Sequence, residues 1–360
     1  MRTVLILGTG LIGTSIGLAL RGKGVEVLLA DRDLTSVRLA RELGAGEEWH
    51  YDHSAGDTID LAVVAVPPAH VASELKGLQS RGVAQFYTDV ASVKAQLIDD
   101  ARARGCDMST YVGSHPLAGR EKSGPGAARA DLFLGRPWAL CPTDETAPEA
   151  RQAVLDLIGL CGANAVEVSA EEHDQAVAVV SHAPHVAASA VAARLADASD
   201  VALGLAGTGV RDVTRVAGSD PGLWLGILSG NAAPVAEVLE AVSRDLAEAA
   251  LALRGLATGD PAAAEDVTQL LKRGVAGHGR IPGKHGGPAA RYGVVQVVIG
   301  DRPGQLARLF QVCDELGVNV EDVRLEHAPG LPLGMAELSV QPDAVATLTT
   351  GLHERGWQVP

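Results

Sequence analysis

Along the first half of the chain, short runs of β-branched and other apolar residues alternate with stretches whose apolar positions recur at helical spacing. TVLILG, VEVLLAD, DLAVVAVP, QFYTDV, STYVGS and PWALCP read as strands. The alternation predicts a parallel sheet with helices on both faces over residues 1–168. From residue 170 to about 258 the texture becomes alanine-rich and helix-forming, with EEHDQAVAVVSHAPHVAASAVAARLA and NAAPVAEVLEAVSRDLAEAALALRGL and no strand pattern. Within it, Pro184 lacks a backbone donor and leaves the Val180 carbonyl without its helical partner. The stretch RGVAGHGRIPGKHGGP (273–288) breaks both periodicities and reads as a linker or active-site tail. Residues 292–360 alternate again, predicting a β-α-β-β-α unit with helices on one face of a sheet. Three domains are expected: 1–168, 169–287 and 288–360.

Composition narrows the class. With 360 residues, 47% apolar and 21% charged, the chain suits several soluble globular modules and neither disorder nor a fibre. A net charge of -14 opposes non-specific binding to nucleic acid or an anionic membrane, so neither is an expected partner. Cys106, Cys141, Cys161 and Cys313 are scattered without a C-x-x-C pair, which argues against a disulfide framework or thiolate metal site and suits the reducing cytoplasm. The opening MRTVLILGTGLIG superficially resembles a secretory signal, but its spaced glycines and the helical pattern after them fit an ordered βα unit. No uninterrupted apolar run approaches the roughly 20 residues that span a bilayer.

That βα unit carries chemistry. Gly8-Thr9-Gly10-Leu11-Ile12-Gly13 is G-x-G-x-x-G placed after a strand and opening a helix, the context of a Rossmann-type dinucleotide site. Gly8 permits the tight turn, Gly10 admits the pyrophosphate, and Gly13 allows close helix-strand packing, while the helix N-terminus offers free N–H groups. The next strand ends at Asp31, placed to meet the adenine ribose hydroxyls, which favours NAD over NADP. Arg32 tempers this preference, because an arginine could turn toward a 2′-phosphate, although a solvated surface state suits it better.

Ligands of such sheets lie beyond the carboxyl ends of the strands, which directs attention to Val66-Pro67-Pro68, to TDVASVK with Ser92, and to VGSHPLAG with His115. Pro116 disfavours a helical backbone at His115 and holds it extended on that rim. In SHAPHVAA, Ser181 and His185 share a helical face, and packing or substrate contact suits His182 and His185 better than a metal, for which no H-E-x-x-H or acidic cluster is present. Arg211 and Arg215, four apart, suit either a solvated surface or a carboxylate clamp. Asp301 and Gly304 in DRPG form a good turn and helix start with or without a ligand, and Asn319 begins the next strand.

GTGLIGTSIGLAL, TDVASVK, GSHPLAGREKSG, HDQAVAVVSHAPHVAA, GVRDVTRVAGSDPGLW and RIPGKHGGP together resemble the prephenate dehydrogenase family, in the family's order and over nearly the whole chain. IGDRPGQLARL followed by LGVNVEDVRLE is similar to an ACT domain. The resemblance implies NAD-dependent oxidative decarboxylation of prephenate to 4-hydroxyphenylpyruvate in tyrosine biosynthesis, with neutral His115 accepting a hydrogen bond from the ring hydroxyl. It implies that Ser92 orients His115 or contacts that hydroxyl. Arg215, with Arg211 less firmly, would hold a substrate carboxylate, His185 and Ser181 would form the helical side of the pocket, and Glu121 would gate it through ion pairing. His173 is a weaker match. It further implies a homodimer and a tyrosine effector site near Asp301, Gly304 and Asn319. Arogenate dehydrogenase stays open, since side-chain discrimination can rest on one contact. So do another hydroxyacid dehydrogenase with a helical second domain and a non-catalytic amino-acid sensor.

Overall fold

The computed structural model describes residues 1–50, 59–119, 122–282, 292–327 and 332–360. It divides into two compact units, Met1–Leu246 and Ala247–Pro360.

The first unit is built on eight strands: β1 (Thr3–Leu7), β2 (Glu26–Ala30), β3 (Glu47–Glu48), β4 (Ile59–Val64), β5 (Ala84–Asp89), β6 (Tyr111–Pro116), β7 (Pro137–Cys141) and β8 (Asn164–Glu167), in the order β3-β2-β1-β4-β5-β6-β7-β8. Near-continuous apolar runs suit strands covered on both faces. Alternation then divides them, with Val4, Ile6, Leu61 and Val63 in the core on one face and Leu5, Ala62 and Val64 in the core on the other. Complete burial of Leu5 and Ile6 contributes about 1.5–3 kcal/mol each. All neighbours are parallel except β6 and β7. The parallel sheet expected is thus present, with one antiparallel pair within it. A parallel return needs a crossover of a dozen or more residues, usually helical, and the described part of the β6–β7 connection holds only the short 3₁₀ turn Pro125–Ala127.

Beyond β8, Ser169 opens the helix Ala170–Val177 with a reciprocal capping box to Glu172. Helix continues to Ala193 through a π turn at Ala178–His182. Pro184 has no N–H for the Val180 carbonyl, and the chain absorbs the break by widening one turn instead of ending the helix. By length and composition the stretch Ala170–Ala193 could cross a bilayer. It carries His173, Asp174, His182 and His185, all buried within the protein. Helices Asp200–Gly204, Thr208–Thr214 and Pro221–Gly230 come next, the last capped by Asp220, whose side chain accepts from the Leu223 N–H at 2.8 Å.

In the second unit, β9 (Gly293–Gly300), β10 (Val320–His327) and β11 (Leu333–Val340) form an antiparallel sheet ordered β10-β11-β9. Val295, Val297 and Ile299 pack on helices Gln305–Glu315 and Val345–Glu354 through Leu309, Val312, Leu348 and Leu352, which is the β-α-β-β-α arrangement expected. The stretch 273–288 differs from its reading as a linker, because the helix Pro261–His278 runs through Arg273 and stops only at Gly279. Gly274 and Gly277 each cost a helix about 1 kcal/mol, too little to end one that starts with an Asp260 cap and Pro261. The rest of that stretch, 283–288, lies outside the described residues, as does Glu121.

Candidate active site

The glycine-rich turn has a different physical demand at each glycine. Gly8 has φ +107°, and a Cβ there would fall 2.2 Å from the Ala65 carbonyl oxygen. A Cβ on Gly13 would fall 2.0 Å from the Gly8 carbonyl oxygen. One on Gly10 would meet nothing within 4 Å, so only there does glycine leave space for something other than protein. Gly10 caps the helix Leu11–Arg21 with no side chain bonded to its first turn, and the Leu11 and Ile12 N–H groups begin that turn. An anionic pyrophosphate fits this open, donor-rich end. Asp31 lies just past β2, and its carboxylate accepts from the Thr9 N–H at 2.6 Å, the Thr9 hydroxyl at 3.1 Å and the Asp33 N–H at 2.9 Å. It thereby fixes the glycine turn against the end of β2. Arg32 is exposed, and Val66 and Pro67 lie between β4 and the helix Pro68–Ser80.

His115 stands near the end of β6 and is buried. Its Nδ1 lies 2.9 Å from Nε2 of His173, and Nδ1 of His173 lies 2.8 Å from Oδ1 of Asp174. Asp174 in turn accepts the backbone N–H groups of Lys94 and Ala95, each at 2.9 Å. Burial is the main cause that pushes the His115 pKa well below the ordinary histidine value, with the electrostatic influence of His173, Lys94 and His182 acting in the same direction. His115 is therefore uncharged at neutral pH. Beneath it Lys94, fully buried, ion-pairs with Asp89 at 2.5 Å, and Asp89 also accepts from the Tyr111 hydroxyl at 2.6 Å and the Ala91 N–H at 2.7 Å. Burial and Asp89 together hold the Tyr111 phenol well above its usual range.

On the helical side, Asn231 joins the two parts, its amide lying 2.7 Å from the Asp174 carbonyl oxygen and 3.1 Å from Nδ1 of His182. Burial lowers the His182 pKa to about 4, against an opposing pull from Asp174. His182 faces Trp224 edge-on, and His185 stacks on the same indole. A cavity of about 330 Å³ opens there, lined by Gly119, Ser181, His185, Arg215, Ser219 and Trp224 among others. Nδ1 of His185 is buried without a hydrogen-bond partner among the described residues.

The structure thus gathers Ser181, His185 and Arg215 around one cavity and leaves Arg211 exposed on the helix Thr208–Thr214, outside its lining. Ser92 lies just past β5, half-buried, and the group bonded to Nδ1 of His115 is His173. Among the described residues no cluster of three His, Cys, Asp or Glu side chains could hold a metal. In the second unit Asp301 and Gly304 line a cavity of about 300 Å³, whereas Asn319 lines a different one and bonds Glu321 at 2.7 Å. Asp174, Lys94, Trp224 and Asn231 were not singled out by sequence pattern. Two signals were present: the acid beside His173 in EEHDQ, and the tryptophan three residues after Pro221 at the Asp-Pro helix start in SDPGLW.

Residues 16–167 match the family model described as prephenate dehydrogenase, nucleotide-binding domain, and residues 169–272 match prephenate dehydrogenase, dimerization domain. The chain is 44% identical over 99% of its length to a relative named probable prephenate dehydrogenase NovF of Streptomyces niveus, 99% of which is covered. It is similar to the crystal structure of prephenate dehydrogenase from A. aeolicus in complex with hydroxyphenyl propionate and NAD+, with TM-score 0.67 and 26% identity over 77% of this chain and 97% of that one. It is also similar to that of Synechocystis arogenate dehydrogenase, with TM-score 0.62 and 25% identity over 77% and 99%.

Proposed function

The chain belongs to the prephenate dehydrogenase family, and from that membership we propose that it catalyses NAD+-dependent oxidative decarboxylation of prephenate to 4-hydroxyphenylpyruvate. The observation that carries this reading is His115, a buried, uncharged imidazole at a strand end, joined through His173, Asp174, Asn231 and His182 to the wall of a cavity containing Arg215.

Gly8, Gly10, Gly13 and the N–H groups of Leu11 and Ile12 would hold the NAD+ pyrophosphate, with Asp31 at the adenine ribose and Val66 and Pro67 along the cofactor's edge. Bound NAD+ supplies the acceptor for the hydride. Neutral His115 takes the proton of the ring hydroxyl as the carbon beneath it becomes a carbonyl, which pushes the hydride out. The ring carboxylate leaves as carbon dioxide and its bonding electrons complete the aromatic ring, which drives the reaction to one side, and the phenolate oxygen so formed recovers the proton held by His115. Arg215 binds a substrate carboxylate through paired N–H donors, with Ser181 and His185 beside it. Ser92 contacts the substrate hydroxyl, because His173 already occupies Nδ1 of His115. The similarity to an arogenate dehydrogenase favours arogenate as the second substrate to test.

We further propose that residues 1–168, 169–287 and 288–360 act as cofactor, substrate and regulatory domains, in a cytoplasm that keeps all four buried cysteines reduced. Val191, Val201, Leu203, Leu205 and Leu225 are exposed in the helical segment, and covering them in a homodimer would remove that apolar area from water. The cavity at Asp301 and Gly304 is offered as a tyrosine site. Calorimetry should show tyrosine binding that disappears when residues after Gly287 are removed.

Initial rates at 340 nm, crossing prephenate and arogenate with NAD+ and NADP+, test the main reading. His115→Asn should keep NAD+ affinity and lose about 10²- to 10⁴-fold in turnover. Turnover close to that of the parent would remove His115 from the mechanism.

A further inference from the structure

We infer that Asp174 and His173 are positioning residues that fix His115 in one tautomer, with the proton on Nδ1 and the lone pair on Nε2. The inference rests on the reading of His115 as the proton acceptor. It adds what makes one particular ring nitrogen the acceptor.

The argument is one of donors and acceptors along a buried chain. As a carboxylate, Asp174 has only lone pairs to offer, and its two oxygens already accept the N–H groups of Lys94 and Ala95. The 2.8 Å contact from His173 Nδ1 to Asp174 Oδ1 therefore requires a proton on that nitrogen. In its neutral form His173 carries only that one proton, so its Nε2 holds a lone pair, whereas an imidazolium would set an N–H against Nδ1 of His115 and leave His115 no accepting nitrogen for the substrate. Across the 2.9 Å contact that lone pair must meet an N–H, and the only candidate is Nδ1 of His115. Nε2 of His115 is then left as the accepting atom. Every member of the chain is buried, with His173 and Asp174 only 3% and 4% exposed, so bulk water does not compete for these contacts.

The anchor reaches into the sheet domain. Asp174 is held by the backbone beyond β5, at the start of the helix Ala95–Ala103, so the tautomer of a β6 histidine is set by a helix that begins at Ala170. A carboxylate behind an imidazole pair would ordinarily favour its protonation. The buried Lys94 ammonium and the desolvated setting oppose this, so the chain can orient His115 and still leave it unprotonated. When His115 takes up the substrate proton on Nε2, its Nδ1–H stays bonded to His173, and no proton need leave the chain during the step.

The test uses the intact protein labelled with ¹⁵N-histidine, with the His115 signals assigned from the spectrum of His115→Asn. At neutral pH the His115 ring should show a protonated Nδ1 and a bare Nε2, and His173→Leu should shift the ring toward the other tautomer or a mixture. The same substitution should lower kcat about 10²- to 10⁴-fold with NAD+ affinity little changed and Tm lowered by the loss of a buried hydrogen-bond partner. His173→Gln, whose carbonyl oxygen can accept from His115 Nδ1, should recover at least about tenfold of that loss, which a role in packing alone would not produce. A wild-type spectrum with the proton on Nε2 would overturn the inference, as would a His173→Leu enzyme within about threefold of the parent. If the variant does not fold, the wild-type spectrum still decides. Absence of turnover on any substrate, with the Nδ1–H tautomer seen, would instead count against the proposed reaction.

Discussion

His185 stacks on Trp224 with ring centroids 3.5 Å apart and planes 11° from parallel. The indole sets the angle of an imidazole whose Nδ1 has no partner among the described residues, so a substrate oxygen could satisfy it. Such a pair contributes about 0.5–1.5 kcal/mol beyond the area it buries. Trp224→Leu, which keeps apolar bulk and loses the π face, should therefore raise KM about 2- to 12-fold with kcat less affected. Steady-state kinetics with an unchanged KM would show that the stack does not serve the substrate.

Arg215→Ala removes a charged donor from the same cavity. A hydrogen bond to a charged group contributes about 1.5–3 kcal/mol, so kcat/KM should fall roughly 12- to 160-fold. Arg215→Lys should recover only part of this, because an ammonium cannot reproduce two parallel N–H bonds to a carboxylate. Full recovery by lysine would mean that charge alone is recognised.

The glycines of the glycine-rich turn proposed to hold NAD+ should respond differently. Gly13→Ala places a methyl group 2.0 Å from a backbone oxygen and should destabilise the fold by at least about 1–3 kcal/mol. Gly10→Ala meets no protein atom within 4 Å, so Tm should stay near that of the parent while NAD+ affinity falls. Thermal unfolding and NAD+ titration of the two variants check this, and a Gly10→Ala protein that binds NAD+ as tightly as the parent would place the pyrophosphate elsewhere.

Acid should loosen the fold before most carboxylates titrate. Burial lowers the pKa of His115, His182 and His185, that of His182 to about 4. Once unfolded, these side chains protonate near pH 6.5. Between pH 6.5 and about 4 the unfolded state therefore binds more protons, and stability falls as pH falls, by at most about 1.4 kcal/mol per pH unit for each histidine. Urea unfolding at pH 7 and pH 5 measures the slope, and equal stability at both would contradict the burial of these rings. kcat/KM should show no loss from His115 protonation between pH 8 and 6.5.

Local spacing made the glycine-rich turn legible. G-x-G-x-x-G after an apolar strand, an acid at the end of the next strand, and a histidine fixed before a proline each depend on neighbours a few residues away. Asp174 and Trp224 were hidden because their roles depend on which turn of a helix meets the sheet, and tertiary packing decides that. Asp174 reads as one polar residue in a helix start until the Lys94 and Ala95 N–H groups, 80 and 79 positions away, are seen to converge on it. Strands β3 and β8, of two and four residues, are too short for period-two alternation to register. The reversal of β7 depends on the path of a connection that has no hydrophobic period.

The π turn at Ala178–His182 makes chain length at this point as restrictive as residue identity. Successive residues on an α-helix are about 100° apart, so deleting one residue within the turn would restore regular winding and rotate the Ala170–Val177 helix against the Ala183–Ala193 helix. His173 and Asp174 lie on one side of the turn, while Ser181 lies within it and His185 beyond it. A single-residue deletion could spare every one of these side chains and still separate the imidazole at the sheet from the cavity at Arg215. Descendants of this sequence can therefore exchange residues within the turn more freely than they can lose one.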